Sequence, residues 1–80
     1  MATKQILSPL PGTFYRKPAP DKPAYKSEGD KVVVGEIIGL VEVMKSFNEV
    51  KADVAGTIMS FLADNEDPVM AGQPLAEIEV

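Results

Sequence analysis

The chain has 80 residues with eight basic and twelve acidic side chains, a formal net charge of −4, and neither cysteine nor histidine. This length supports one small domain, residues 1–80, and the missing residue types exclude disulfides, Ser-His and Cys-His nucleophile systems and typical zinc sites. Because the basic residues are not densely clustered and no apolar run is long enough to span a bilayer, we expect neither nucleic-acid nor membrane binding. We expect a non-catalytic domain of the cytosol, or the mature part of an imported protein.

Gly and Pro punctuate the whole chain, and no window shows sustained helical periodicity, so the sequence predicts short strands joined by turns. In the first half, we interpret Gly12-Thr13 as a turn between two strands. The next segment, RKPAPDKPA at residues 16–24, is rich in proline, which lacks an N–H donor and fixes φ. This composition predicts a stiff, polyproline-like loop that projects from the domain instead of a central strand.

The middle of the chain, VEVMKSFNEV at residues 41–50, has the β-favouring residues of a half-buried strand. At its centre, Met44-Lys45-Ser46 replaces the Gly or Asn that a two-residue hairpin turn favours, because that turn requires positive φ. When turn chemistry is overridden in this way, function is the first explanation to test. Lys45 is therefore predicted to present its amine at the tip of a stiff hairpin, although a single exposed lysine by itself needs no explanation.

The second half of the chain repeats the first. Residues 28–43 (EGDKVVVGEIIGLVEV) align with residues 65–80 (NEDPVMAGQPLAEIEV) at a constant spacing of 37, and residues 8–15 (SPLPGTFY) align with residues 52–59 (ADVAGTIM) at a spacing of 44. The seven extra residues of the first half fall in residues 16–24. Each half predicts a strand, a Gly-Thr turn, a strand, a loop, a V-x-x-G turn and a strand. Because a lone hairpin is marginal in water, we expect the halves to share one core in a flattened β-sandwich or barrel with a pseudo-twofold axis.

Two stretches of the sequence resemble a known family. VEVMKSFNEVKADVAGTI at residues 41–58 resembles the attachment segment of biotinyl domains, whose pattern is E-A-M-K-M, then N-E-I, a small residue and a G-T pair. GTFYRKPAPDKPAYKSEGDKV at residues 12–32 resembles the thumb region of the biotin carboxyl carrier subunit of acetyl-CoA carboxylase, which related biotinyl and lipoyl domains lack. The similarity spans residues 8–80. The positions that fit the attachment pattern are Glu42, Met44, Lys45, Asn48, Glu49, Val50, Ala52, Gly56 and Thr57.

The resemblance implies an all-β barrel-sandwich hybrid of two four-stranded antiparallel sheets, with a protruding thumb at residues 16–24 and a biotin hairpin at residues 43–47. It also implies that a biotin protein ligase attaches biotin covalently to Lys45. The implied role is that of a carrier for malonyl-CoA formation in fatty acid synthesis. The carrier moves a carboxyl group from biotin carboxylase to carboxyltransferase, and the reactions themselves depend on the cofactor and the partner enzymes. The other residues assigned to the biotin site are Val43, Met44, Ser46 and, in the thumb, Lys17.

Three of these residues depart from the family pattern. Val43 replaces the usual Ala, Ser46 replaces the usual Met, and Lys17 replaces a small residue before the first proline of the thumb. Two alternatives stay open. A lipoyl-type carrier has the same fold, but its D-K-A pattern disagrees with Met44 and it lacks a thumb; an unmodified barrel would serve only as a protein-interaction module. Because the first predicted strand lies near residue 1, we expect either an excised domain or a minimal carrier.

Overall fold

The computed structural model describes residues 2–80, and these residues form eight β-strands and no helix. No described residue therefore belongs to a helix able to cross a membrane. In chain order the strands are β1 Thr3–Leu7, β2 Gly12–Tyr15, β3 Lys31–Val32, β4 Ile37–Val43, β5 Ser46–Lys51, β6 Gly56–Phe61, β7 Asp67–Val69 and β8 Pro74–Glu79.

The strands form two four-stranded sheets, one with the order β1-β8-β6-β3 and the other with the order β5-β4-β2-β7. All six strand pairs are antiparallel. The two orders are equivalent, because the sequence repeat relates β1 to β5, β2 to β6, β3 to β7 and β4 to β8. The predicted all-β fold of two four-stranded antiparallel sheets is confirmed.

The core consists of apolar side chains from both halves. Its largest fully buried members are Phe14, Ile38, Ile58, Leu75, Ile78, Val32 and Val41. Phe14 and Ile58 occupy equivalent positions in the repeat, and so do Val41 and Ile78. Burying one such side chain stabilises a fold by roughly 1.5–3 kcal/mol, and a half without its partner would leave these side chains without the opposing part of the core. The two halves therefore depend on each other for one shared core.

Equivalent turns in the two halves have equivalent hydrogen bonds. The Gly35 N–H donates to the Ala52 carbonyl at 2.8 Å, and the Gly72 N–H donates to the Ser8 carbonyl at 2.8 Å. Both glycines have positive φ, 93° and 81°, so each V-x-x-G segment ends in a left-handed residue. The predicted V-x-x-G turns and the predicted internal repeat are confirmed.

The Gly-Thr pairs are not turns, and the sequence-based expectation was wrong on this point. Gly12 is the first residue of β2 and Gly56 the first residue of β6. A Cβ at Gly12 would collide with the carbonyl oxygen of Glu42 on the adjacent strand, and a Cβ at Gly56 would collide with that of Glu79. Both positions need glycine because the neighbouring backbone approaches closely.

Residues 16–24 form the first part of the connection between β2 and β3, and they contain no strand, as their proline content predicted. The Tyr25 N–H donates to the Arg16 carbonyl at 3.0 Å and closes the base of the segment. The Arg16 guanidinium lies 4.0 Å above the centroid of the Phe61 ring, which anchors this base on β6. Most side chains between these contacts are exposed. The projecting thumb itself stays a prediction.

Candidate functional site

The connection between β4 and β5 is a two-residue turn made by Met44 and Lys45. Their φ angles are 49° and 67°, and positive φ at both central residues is the signature of the type I′ hairpin turn. Val43 and Ser46 pair with each other directly below it. Because L-residues with a Cβ avoid this region at a cost of roughly 1–2 kcal/mol each, the turn is strained at both positions. The sequence predicted this geometry from the twist of the hairpin.

The side chains at the tip point away from the core. Met44 is 93% exposed, the highest value among the large apolar side chains of residues 2–80, and Lys45 and Ser46 are exposed as well. Val43 differs, because it is half-buried and packs against the core. The hairpin therefore offers an apolar side chain and an amine at its end while its base is anchored.

Polar groups beneath the turn hold it in place. The Lys45 N–H donates to Glu42 Oε2 at 3.1 Å, and the Tyr15 hydroxyl donates to Glu42 Oε1 at 3.4 Å. Asn48 Nδ2 donates to the carbonyls of Val41 and Ser46 at 3.2 and 3.3 Å. Glu42 and Asn48 matched the attachment pattern, and the structure shows what they do locally.

A groove of about 450 Å³ lies beside the hairpin. Its lining residues are Tyr15, Lys17, Pro18, Ala19, Pro20, Phe47, Asn65 and Glu66. The Phe47 ring, two residues after Lys45, packs at 53° against the Tyr15 ring with centroids 6.2 Å apart. The structure therefore brings Lys17 to the same groove as the strand that follows Lys45.

Sequence reasoning missed four residues of this groove, namely Tyr15, Phe47, Asn65 and Glu66. Phe47 carried a signal, because it is a large apolar residue that the strand alternation directs away from the core, where it is 59% exposed. The Arg16 N–H donates to Asn65 Oδ1 at 2.8 Å, which ties the start of residues 16–24 to the turn before β7. Because the two residues of this hydrogen bond are 49 positions apart, no local sequence pattern predicts it.

The electrostatics of the site centre on Tyr15. Its partial burial raises the pKa of the phenol above the ordinary value, and the charge of Glu42 and the hydrogen bond to that carboxylate raise the pKa further. Tyr15 is therefore neutral near pH 7 and available as a donor. Residues 2–80 contain no group of three or more Asp or Glu side chains placed to bind a metal ion.

Comparison with known proteins places this geometry in a family. The family model described as "Biotin-requiring enzyme" matches residues 4–78, so the chain belongs to this biotin-requiring family. The family description makes biotin its cofactor.

Relatives of the chain are carrier proteins. The chain is 48% identical over 73 residues to the biotin carboxyl carrier protein of acetyl-CoA carboxylase of Chlamydia pneumoniae, covering 91% of this chain and 44% of the relative. It is 47% identical over 70 residues to the chloroplastic carrier protein 2 of Arabidopsis thaliana, covering 88% and 28%. For the Nostoc sp. carrier protein the identity is 40% over 75 residues, covering 94% and 41%. The chain thus spans less than half the length of these three relatives.

A solved structure agrees with the fold. The Kluyveromyces lactis urea carboxylase matches with a TM-score of 0.79 and 28% sequence identity, covering 99% of this chain and 6% of that chain. The resemblance to biotinyl carrier proteins is confirmed by these comparisons. The particular roles of Lys45, Val43, Met44, Ser46 and Lys17 stay predictions.

Proposed function

We propose that this chain is the biotin-carrying domain of an acetyl-CoA carboxylase and that Lys45 is the residue to which biotin is attached. One observation carries the proposal: in a chain of the biotin-requiring family, Lys45 is exposed at the tip of a tight turn between two paired strands. A lysine in this place is reachable by a second protein while its backbone is held by the sheet. The expected modifying partner is a biotin protein ligase.

The residues around Lys45 fit a covalently attached biotin. The amine is exposed for amide formation, and the adjacent groove offers apolar walls from Pro18 and Phe47 to a ring system on a flexible arm. When bound, biotin supplies a ureido nitrogen that takes up and gives off a carboxyl group. Met44 presents an apolar surface beside the acceptor, whereas Val43 and Ser46 shape the base of the tip.

The chain itself acts as a tether. The hairpin fixes the root of the arm at the end of the molecule, and the stiff body lets the whole domain move as one unit between a biotin carboxylase and a carboxyltransferase. Tethering raises the effective concentration of the carried group at both active sites without any new contact. In this proposal the carrier has no catalytic residue of its own.

Lys17 is proposed to contact the biotin arm from residues 16–24. Its place in the lining of the groove beside Phe47 supports this role, because the hairpin and this segment then face each other across one cavity. A positive charge in that wall would favour groups with an oxygen-rich edge. Relatives from bacteria and chloroplasts support a location in the cytoplasm or in the stroma of an organelle.

The test is the intact mass of the chain after incubation with a biotin protein ligase, ATP and biotin. We expect one added biotinyl group in the wild type and none in Lys45→Arg. Lys51→Arg is the matched control, because Lys51 is also exposed and is the last residue of β5, five residues after Ser46. The control should accept one group like the wild type.

The outcomes separate the candidate functions. No added mass on the wild type would favour the unmodified interaction module, and addition of lipoate by a lipoyl ligase would favour the lipoyl-type carrier. One biotinyl group on Lys51 or another lysine in Lys45→Arg would show that the acceptor was misassigned. With biotin on Lys45, transfer of the carboxyl group to acetyl-CoA by a carboxyltransferase tests the proposed acceptor.

A further inference from the structure

The internal repeat shows what is particular to the hairpin that carries the acceptor lysine. Glu42 on β4 and Glu79 on β8 occupy equivalent positions, and each pairs with the threonine of a Gly-Thr pair on the neighbouring strand. Tyr15, in contrast, lies where the second half has Met59. The first half therefore has a hydroxyl that reaches its glutamate, at a sequence position where the second half has a thioether.

Hydrogen bonds lead from this hydroxyl to the turn. The Tyr15 hydroxyl donates to one oxygen of the Glu42 carboxylate at 3.4 Å, and the Lys45 N–H donates to the other oxygen at 3.1 Å. The Tyr15 ring is half-buried and packs against Phe47. Because the ring packs against Phe47 and is half-buried, its hydroxyl is restrained and can orient the carboxylate.

The turn depends on such support. Met44 and Lys45 have φ angles of 49° and 67°, a region that residues with a Cβ disfavour. Without the Glu42 carboxylate as acceptor, the Lys45 N–H loses a hydrogen bond that it makes in this positive-φ turn. The turn would then visit other conformations in which the lysine side chain leaves in another direction.

We propose that Tyr15 is a positioning residue for the attachment of biotin to Lys45: its hydroxyl orients the Glu42 carboxylate, which holds the Lys45 amide and keeps the turn in the conformation that presents the amine. This inference rests on the proposed function, because it takes Lys45 as the acceptor. Tyr15 acts through Glu42 and touches no reacting atom. If only a fraction of the molecules adopts the presenting conformation, the apparent affinity of the ligase for the carrier is the intrinsic affinity multiplied by that fraction.

The experiment measures initial rates of biotin attachment to the intact 80-residue chain as a function of carrier concentration. Tyr15→Phe keeps the ring against Phe47 and removes the hydroxyl. We expect its KM to rise about threefold to tenfold, the range for one lost hydrogen bond, with kcat changed less than about twofold. Glu42→Ala should have a larger effect of the same kind, and Glu42→Gln, which keeps an oxygen for the Lys45 N–H, should recover part of it.

A second readout needs no ligase. The exchange rate of the Lys45 amide proton with water, measured by NMR, should increase in Tyr15→Phe and increase more in Glu42→Ala. In the double variant, Tyr15→Phe should add nothing to Glu42→Ala in either measurement, because both act through one carboxylate. Tyr25→Phe and Glu79→Ala are the controls: the first removes a hydroxyl elsewhere, and the second removes the equivalent glutamate of the other half. Both should match the wild type.

Several results would overturn the inference. An unchanged KM and an unchanged Lys45 amide exchange in Tyr15→Phe would show that the hydroxyl does not position the turn. A raised KM with unchanged amide exchange would mean that the ligase contacts Tyr15 directly. If the wild type accepts no biotin, the proposed function fails first, whereas normal attachment with equal kinetics in Tyr15→Phe removes only the role of Tyr15. A melting curve for each variant identifies any loss of fold.

Discussion

Strands β4 and β5, at the junction of the two sequence halves, are joined by Met44 and Lys45. The equivalent strands β8 and β1 lie side by side near the two ends of the chain, where the Val80 N–H donates to the Ala2 carbonyl at 3.0 Å. Both strand pairs are antiparallel, yet β4 and β5 end in a strained turn capped by Glu42. The first half also has seven more residues than the second between β2 and β3.

This contrast separates the scaffold from the functional additions. What the halves share, namely the V-x-x-G turns, the Gly-Thr strand starts and the apolar core positions, supports the fold. Features without a counterpart elsewhere in the repeat are the turn at Met44-Lys45, Tyr15 and the extra residues of 16–24, and of these Tyr15 and residues 17–20 line the groove together with Phe47. Substitutions that affect the shared features should change stability in both halves alike, whereas substitutions in the additions should change function with smaller effects on stability.

The largest expected effect on stability comes from the shared glycines. Gly12→Ala should destabilise the fold by about 3 kcal/mol, because the new Cβ collides with the Glu42 carbonyl and the strands must separate. Gly56→Ala should cost a similar amount through its collision with the Glu79 carbonyl. Urea unfolding measures both values.

Gly72→Ala is the control for this prediction. Gly72 has positive φ of 81° but open space around it, so alanine should cost only about 1 kcal/mol. If Gly12→Ala and Gly56→Ala differed strongly from each other, the two halves would not be equivalent in their packing. If both were as mild as Gly72→Ala, the close approach would not limit the side chain.

The next prediction is a substitution in the β4–β5 turn that should raise stability and abolish biotin attachment. Replacing Met44-Lys45 by Asn-Gly should stabilise the domain by about 1–2 kcal/mol, because both new residues tolerate positive φ in a type I′ turn. The same variant should accept no biotin. Thermal unfolding and intact mass measure the two properties.

Lys45→Arg is the control here, since it should abolish attachment while changing stability by less than about 0.5 kcal/mol. A large loss of stability in Lys45→Arg would reveal structural contacts of the lysine side chain. An Asn-Gly variant no more stable than the wild type would mean that the cap from Glu42 already offsets the strain.

A smaller effect is expected from making the two halves equal in length. Deleting residues 17–23 removes seven residues and leaves Arg16 on Phe61, so stability should change by no more than about 1 kcal/mol. The midpoint of thermal unfolding measures this change. Failure of the shortened chain to fold would show that these residues contribute to the core.

The smallest effect is expected at the two equivalent V-x-x-G turns, where the residue after the glycine is charged in one copy, Glu36, and neutral in the other, Gln73. Glu36 Oε1 accepts the Val33 N–H at 2.8 Å, and Gln73 Oε1 accepts the Met70 N–H at 3.0 Å in the equivalent turn. The pKa of Glu36 is lowered, mainly by that backbone hydrogen bond and then by Lys26, whose Nζ lies 3.0 Å from the carboxylate.

Because folding lowers this pKa, the charged Glu36 contributes stability above its unfolded pKa of about 4.3, and the contribution is lost as the pH falls through the folded value. Glu36→Gln should therefore be slightly less stable than the wild type at pH 7 and equal to it at a pH below the folded value. Melting temperatures measured from pH 7 to pH 2 test this. A difference that stays constant over the whole range would exclude the ionisation of Glu36 as its cause.

Local patterns in the sequence were sufficient for much of the fold. The repeat at spacings of 37 and 44 residues predicted two equivalent sets of strands. The V-x-x-G segments predicted turns and the prolines of residues 16–24 predicted a connection without a strand, because these features depend on residues close together in the chain. The place of Lys45 at the tip of the hairpin was predicted in the same way, because Met44-Lys45 breaks the local rule for a hairpin turn, and its role in biotin attachment stays a prediction.

The tertiary structure decided what depends on distant residues. Gly12 and Gly56 looked like turn glycines, but the neighbouring strands 30 and 23 positions away require them. Phe47 packs against Tyr15, and Lys17 and Glu66 line one groove. The Glu42 carboxylate accepts hydrogen bonds from both the Tyr15 hydroxyl and the Lys45 N–H. No periodicity encodes these distances, because the pairing and packing of the two sheets, and not the order of residues along one strand, set them.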